Sequence, residues 1–168
     1  QDQFAFPSRY DKDTTAGALI LFDNGYSQVM LGSNRKFQYE FDRHLMIKIF
    51  KNSAFSLAER KIRLYENSEG REELKNLNAV TYNLADGKIV KTKLENKKIY
   101  KTDEGKYLIV SFALPEVKEG SVIELSYSIV SDFLYNFRGW NFQYNYPARW
   151  SQYTYEIPEY FVYSESSR

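Results

Sequence analysis

The sequence predicts an all-β protein, built as an antiparallel β-sandwich or barrel-like fold. Three observations carry that expectation. Apolar residues alternate with polar ones in many short runs, spaced about ten residues apart. Turn chemistry separates the runs, as at Asp86-Gly87, Asp103-Glu104-Gly105 and Pro115 to Gly120. Aromatic content is high, with 15 Tyr, 12 Phe and 2 Trp making 17% of 168 residues. Such side chains suit pleated, half-buried surfaces.

Residues 1–15 read as a polar lead-in that carries Phe4, Phe6 and Pro7 over the domain. Residues 18–22 (ALILF) form an apolar run of strand length. Asp23-Asn24-Gly25 then gives a hairpin signal, because Asn and Gly tolerate positive φ, and 26–31 would be the return strand. Residues 32–36 turn the chain into the longest alternating run, FQYEFDRHLMIKIF at 37–50. Its odd positions, Phe37, Tyr39, Phe41, Leu45, Ile47 and Ile49, define a buried face, and Arg43 falls on that face. His44, the only histidine, points the other way. A buried guanidinium requires a carboxylate or carbonyl partner. Glu124 is the expected partner, so Arg43 and Glu124 are read as a structural ion pair.

Residues 52–77 support two readings. Ser56-x-x-Glu59 has the form of a capping box with a helix continuing to Tyr65, whereas Ile62 and Leu64 alternate with Arg63 and Tyr65 as in a strand. The strand is favoured, followed by one short helical turn near 69–75. Residues 79–84 and 88–94 form a hairpin about Asp86-Gly87, with Leu84 opposite Ile89 and Tyr82 opposite Lys91. The six lysines between 88 and 101 alternate with apolar residues and mark the wet side of an exposed hairpin rather than a phosphate site. In the strand 106–114, Leu108, Val110, Phe112 and Leu114 share a face. In 121–131 the inner face is Ile123, Leu125, Tyr127 and Ile129. Residues 132–146 are aromatic and irregular, and 149–157 read as a last strand.

The length fits a single domain over 1–168. A balance of 23 basic against 22 acidic residues leaves +1, which gives no nucleic-acid footprint. No apolar run reaches the roughly 18 residues of a membrane span. The chain opens on Gln1 and closes on a polar Ser-Glu-Ser-Ser-Arg, and is read as a piece of a longer protein. Cysteine is absent, which removes thiol catalysis, and one histidine rules out multi-histidine metal sites. No Gly-x-Ser-x-Gly elbow or phosphate-cradling glycine loop is present. A carboxylate pair stays compatible with 22 acids. No catalytic residue, cofactor or metal ligand is assigned. The candidate interaction surface is Trp140, Phe142, Arg149, Trp150 and Tyr153, whose rings and guanidinium suit a peptide or a glycan. The alternative is that these rings simply form a corner of the core.

Five motifs occur in order: Arg43-His44-Leu45-x-Ile47-Lys48-Ile49-Phe50; Thr81-Tyr82-Asn83-Leu84-x-x-Gly87-Lys88-Ile89-Val90; Pro115-x-Val117-x-x-Gly120-Ser121-Val122-Ile123-Glu124-x-x-Tyr127; Trp140-x-Phe142-Gln143; and Pro147-x-x-Trp150-Ser151-x-Tyr153. Together they resemble the domain of unknown function 3857 family, an all-β domain that precedes transglutaminase-like domains in Bacteroidetes envelope proteins. The match covers about residues 10 to 163 and is weakest over 52–78. The resemblance implies a super-sandwich-like domain, exported to the periplasm or cell surface and followed by a transglutaminase-like domain that carries the chemistry. It transfers no catalytic residue. The expected function is a non-catalytic accessory module that supports the downstream domain or presents substrate to it. The alternative is an independent carbohydrate- or peptide-binding module.

Overall fold

The computed structural model describes residues 9–32, 35–135, 137–159 and 161. The strands are β1 (Ala18–Leu31), β2 (Phe37–Ile49), β3 (Glu59–Asn67), β4 (Gly70–Ala85), β5 (Lys88–Lys93), β6 (Tyr100–Asp103), β7 (Tyr107–Ala113), β8 (Val122–Ser131) and β9 (Ser151–Glu156). They join in one sheet path, β6-β7-β3-β4-β8-β2-β1-β9, with β5 paired to β4. The protein is all-β, as the alternation predicts.

The two halves of the path meet only at the tip of the β3–β4 hairpin, through Glu66–Arg71 and Asn67–Gly70. There the chain folds over. Ile62 and Leu64 of β3 and Val110 and Phe112 of β7 join one buried cluster with Tyr39, Phe41 and Leu45 of β2 and Leu125 and Ile129 of β8. Two layers burying one apolar face each are what strands of period two require.

β2 and β8 behave as their alternation predicts. Tyr39, Phe41, Leu45, Ile47 and Ile49 are all buried, as are Ile123, Leu125, Tyr127 and Ile129. The β4–β5 hairpin also has the expected register, Leu84 opposite Ile89 and Tyr82 opposite Lys91, and its lysines are exposed.

β1 corrects the expectation of a turn at Asp23-Asn24-Gly25. The strand runs straight through these residues, and the hairpin to β2 is made by the residues after Leu31. Tertiary pairing along β2 overrides the local turn preference. An irregularity between Ile20 and Phe22 places an extra residue, Leu21, in β1. Before it Ala18 and Ile20 face the main core; beyond it the buried positions are Asp23, Gly25, Ser27 and Val29. A bulge of this kind switches which parity faces inward, and here it turns a carboxylate into the interior.

Two further expectations change. Residues 69–75 form no helical turn: the Asn67 side chain accepts from the Glu69 and Gly70 amides at 2.8 and 3.2 Å, and β4 starts at Gly70. The residues read as either helix or strand are divided, a 3-10 helix over Asn52–Ala58 followed by β3. β3 wins from Glu59 because Ile62 and Leu64 find a facing layer in which to bury. Of the lead-in, residues 1–8 lie outside the described residues. Residues 9–15 turn on Asp13, whose carboxylate accepts from the Thr15 amide at 3.0 Å and hydroxyl at 2.7 Å.

The last strand departs from an antiparallel pattern. β9 pairs parallel to β1, with Asp23 opposite Ser151 and Gln28 opposite Glu156. Because β1, β2 and β8 alternate in direction, β8 and β9 run the same way, and parallel strands need a long crossover. Residues 132–150 are that crossover. They pass over the inner face of β2 and β1, where Phe137 packs on Tyr39 at 4.4 Å and Trp140 on Phe41 at 6.4 Å between ring centroids. No helix among the described residues is long and apolar enough to cross a membrane.

Candidate functional site

The crossover roofs a polar cluster at the open end of the sandwich. At its centre the Arg43 guanidinium grips Asp23, with Nε to Oδ1 at 2.9 Å and Nη2 to Oδ2 at 2.5 Å. Asp23 is fully buried, and it also accepts from the Tyr144 hydroxyl at 2.8 Å. A two-point guanidinium–carboxylate pair is the arrangement that makes such burial tolerable. Burial opposes the charge of Arg43, but the Asp23 and Tyr127 contacts outweigh it and raise its pKa.

From this centre, hydrogen bonds tie the crossover to the sheet. The Tyr144 hydroxyl meets Ser151 Oγ at 3.1 Å, and the Trp140 indole donates to the same oxygen at 3.1 Å. Ser27 Oγ bridges the hydroxyls of Tyr153, at 2.7 Å, and Tyr39, at 2.9 Å. Tyr39 also accepts from the Arg138 amide at 3.1 Å, and burial pushes the pKa of its hydroxyl up. Arg138 Nη2 donates to Glu72 Oε2 at 2.7 Å and to the Arg63 carbonyl at 2.8 Å, which joins the crossover to the other layer. Gly25 explains how close this packing is. A Cβ there would stand 2.5 Å from Trp140 Cζ3 and 2.8 Å from Tyr153 Cδ2.

A cleft of about 450 Å³ opens between the layers beside the cluster. Arg43, Arg63 and Arg138 face it with one carboxylate, Glu72, and Tyr107, Tyr127, Trp140 and Tyr144 contribute to its walls. Its aromatic faces are partly taken. Trp140 stacks on Tyr153 at 5.4 Å and 4° and lies 5.1 Å from the Arg43 guanidinium, and Arg63 sits 3.5 Å over Tyr107.

The expected Arg43–Glu124 pair does not form. Arg43 faces inward to Asp23, while Glu124 lies on the opposite face of the sheet. There Glu124 Oε1 meets His44 Nε2 at 2.7 Å and Oε2 accepts from the Tyr82 hydroxyl at 2.5 Å. The reason is the pleat: Glu124 is even on a strand whose odd positions are buried. Burial would raise the Glu124 pKa, but the Tyr82 and His44 hydrogen bonds outweigh it and lower it. The same burial and the carboxylate push Tyr82 up to about 12.

Of the five residues predicted as one surface, Trp140 and Tyr153 are brought together and are half-buried. Phe142, Arg149 and Trp150 are exposed. Sequence reasoning missed Asp23, Arg60 and Glu72, whereas Arg138 and Tyr144 fall within the aromatic stretch 132–150 that it singled out. One signal was available: Arg60 precedes Ile62 and Leu64 at the same parity, so the strand reading already placed a second arginine on an apolar face.

A family match covers most of the chain. Residues 35–167 match DUF3857, a domain of unknown function with solved structure. The chain belongs to that family. No curated protein matches it. Among solved structures, a candidate protease from Parabacteroides distasonis ATCC 8503 aligns with a TM-score of 0.64 and 17% identity, over 85% of this chain and 29% of that one. At that identity the likeness is one of fold, and the chain spans less than a third of that protein's length.

Proposed function

We propose that this chain is a non-catalytic accessory domain of a longer, exported protease- or transglutaminase-like polypeptide, and that it holds peptide substrate or the neighbouring domain at the cleft beside Arg43. The observation that carries this reading is how the polar groups beside the cleft are used. Asp23 is taken up by Arg43 and the Tyr144 hydroxyl, Ser151 by Tyr144 and Trp140, and Ser27 by Tyr39 and Tyr153, so these groups serve to tie the crossover to the sheet. His44 sits on the other face, bonded to Glu124. The span of 29% on the similar protein supports a domain within a larger chain. Export and the transglutaminase-like neighbour follow from the family resemblance.

A glycan-binding reading is weaker at this cleft. Sugar rings stack on open aromatic faces, and here Tyr153 and Arg43 lie against Trp140 and Arg63 covers Tyr107. The purified chain should release no product from casein or a glutamine-donor peptide. The downstream domain supplied in trans should raise its melting temperature. Turnover by the chain alone, or no response to the added domain, would overturn the proposal.

A further inference from the structure

A second groove, of about 530 Å³, lies on the outer face of the sheet formed by β9, β1, β2 and β8. The pleat that turns Arg43 inward turns its lining outward. Gln152, Asn24, His44 and Ser126 stand in one row across these four strands, and Thr154, Tyr26, Asp42 and Ser128 in another. Neighbours in a row are about 4.8 Å apart, and all eight residues border the groove. Its floor is low because serine is short: Ser128 is only 7% exposed and Ser126 is half-buried. Larger side chains make the rim. Glu124 is bonded there to His44 and Tyr82, and Phe22 packs edge-on against the His44 ring at 4.7 Å. Asn76 sits at positive φ in the irregular stretch of β4 between Lys75 and Asn78, and its amide reaches Ser128 Oγ at 3.3 Å.

We infer that this groove binds a neutral saccharide unit through its hydroxyls. A sugar hydroxyl both donates and accepts, so it needs a lining that does both. Asn24 offers an amide, Ser126 a hydroxyl and Asp42 a carboxylate. None of these three side chains makes a hydrogen bond among the described residues. Charge then selects the class of ligand. An anion would meet Asp42 and Glu124 with no lysine or arginine head to balance them, because Arg43 turns its guanidinium to Asp23 on the other face. A cation would find both oxygens of Glu124 engaged and only Asp42 left. A neutral ligand with several hydroxyls can use all three open groups and brings no charge to be desolvated. The site is separate from the cleft beside Arg43 and does not rest on the accessory role.

His44 is the one histidine of the chain, so its ring protons give isolated proton NMR signals from the site. The test follows them in the untagged whole chain, at fixed pH, on addition of maltotriose, cellotriose or triacetylchitotriose. Glycerol and Nα-acetyl-lysine amide serve as controls. At least one trisaccharide should shift the His44 signals saturably, and glycerol at equal concentration should not. Asp42→Asn should weaken that binding about tenfold or more, as the loss of a charged hydrogen bond does. Ser126→Leu, which raises the floor, should abolish it. Ring-shifted methyl signals in the same spectra show whether each variant is folded, and Asp42→Asn decides alone if Ser126→Leu is not. No saturable shift from any of the three sugars, an equal response to glycerol, or unchanged binding by Asp42→Asn would overturn the site. A response to the lysine amide with none to the sugars would mark a cation site and overturn the saccharide. None of these readouts depends on the downstream domain, so failure here is distinct from failure of the accessory role.

Discussion

Asp23 and Glu124 show how one carboxylate differs from another by which side of a pleat it occupies. Asp23 neutralises Arg43 inside the sandwich, so Asp23→Asn leaves a guanidinium without its counter-charge. The variant should lose about 3 kcal/mol in urea unfolding, the scale of breaking a buried pair. Asp23→Asn and Arg43→Met should be strongly non-additive, because each removes the same contact. Arg43→Met and Glu124→Gln, on opposite faces with no shared partner, should add to within about 0.5 kcal/mol. Glu124 makes a pH prediction too. Its folded pKa lies below its ordinary value of 4.5, so its contribution is present above the ordinary value and is lost as pH falls through the lowered one. Glu124→Gln should therefore flatten the acid limb of the stability profile; an unchanged acid limb would contradict the account.

At the scale of elements, the decisive events are the extra residue at Leu21 and the crossover from β8 to β9. The strands themselves were legible. Ile123, Leu125, Tyr127 and Ile129 are buried as their spacing requires, and the Asp86-Gly87 hairpin has its predicted register. What the sequence could not show was the change of parity in β1. A bulge leaves no residue signature in ALILFDN, and Asp-Asn-Gly has strong turn chemistry wherever it occurs. The strand survives because β2 offers it hydrogen bonds along its whole length. Gly25 is then needed for a reason unrelated to turns, the approach of Trp140 and Tyr153. Gly25→Ala should displace the Trp140 ring, costing about 1–3 kcal/mol as overpacking does and shifting the tryptophan emission. Normal stability with unchanged fluorescence would show that the crossover does not lie against β1 in this way.

For the whole molecule, the crossover converts a sheet face that would otherwise be open into a roofed polar interior. The aromatic third of the chain was recognisable as special, but its role divides in a way spacing alone does not reveal. Trp140 and Tyr153 are components of the roof, and Phe142 and Trp150 are exposed. Alternation alone places Arg43 on the inner face in need of a partner, but the turn chemistry of Asp23-Asn24-Gly25 hides the acid that the bulge turns inward to meet it. Arg60 is hidden in the sequence because its segment carries both helix and strand signals. Among the described residues, Arg43 and Arg60 stand in the interior with Asp23, the acid that Arg43 already holds at two points.

That imbalance is directly measurable. The melting temperature and urea midpoint of unliganded Arg60→Met, set beside those of the wild type, test it with no ligand needed. If Arg60 is an unneutralised interior charge, the substitution should leave stability unchanged or raise it, as replacing buried ions with apolar side chains does by up to about 4 kcal/mol. A loss of about 3 kcal/mol, like that expected for Asp23→Asn, would mean that Arg60 is already paired in the folded protein and would contradict the account.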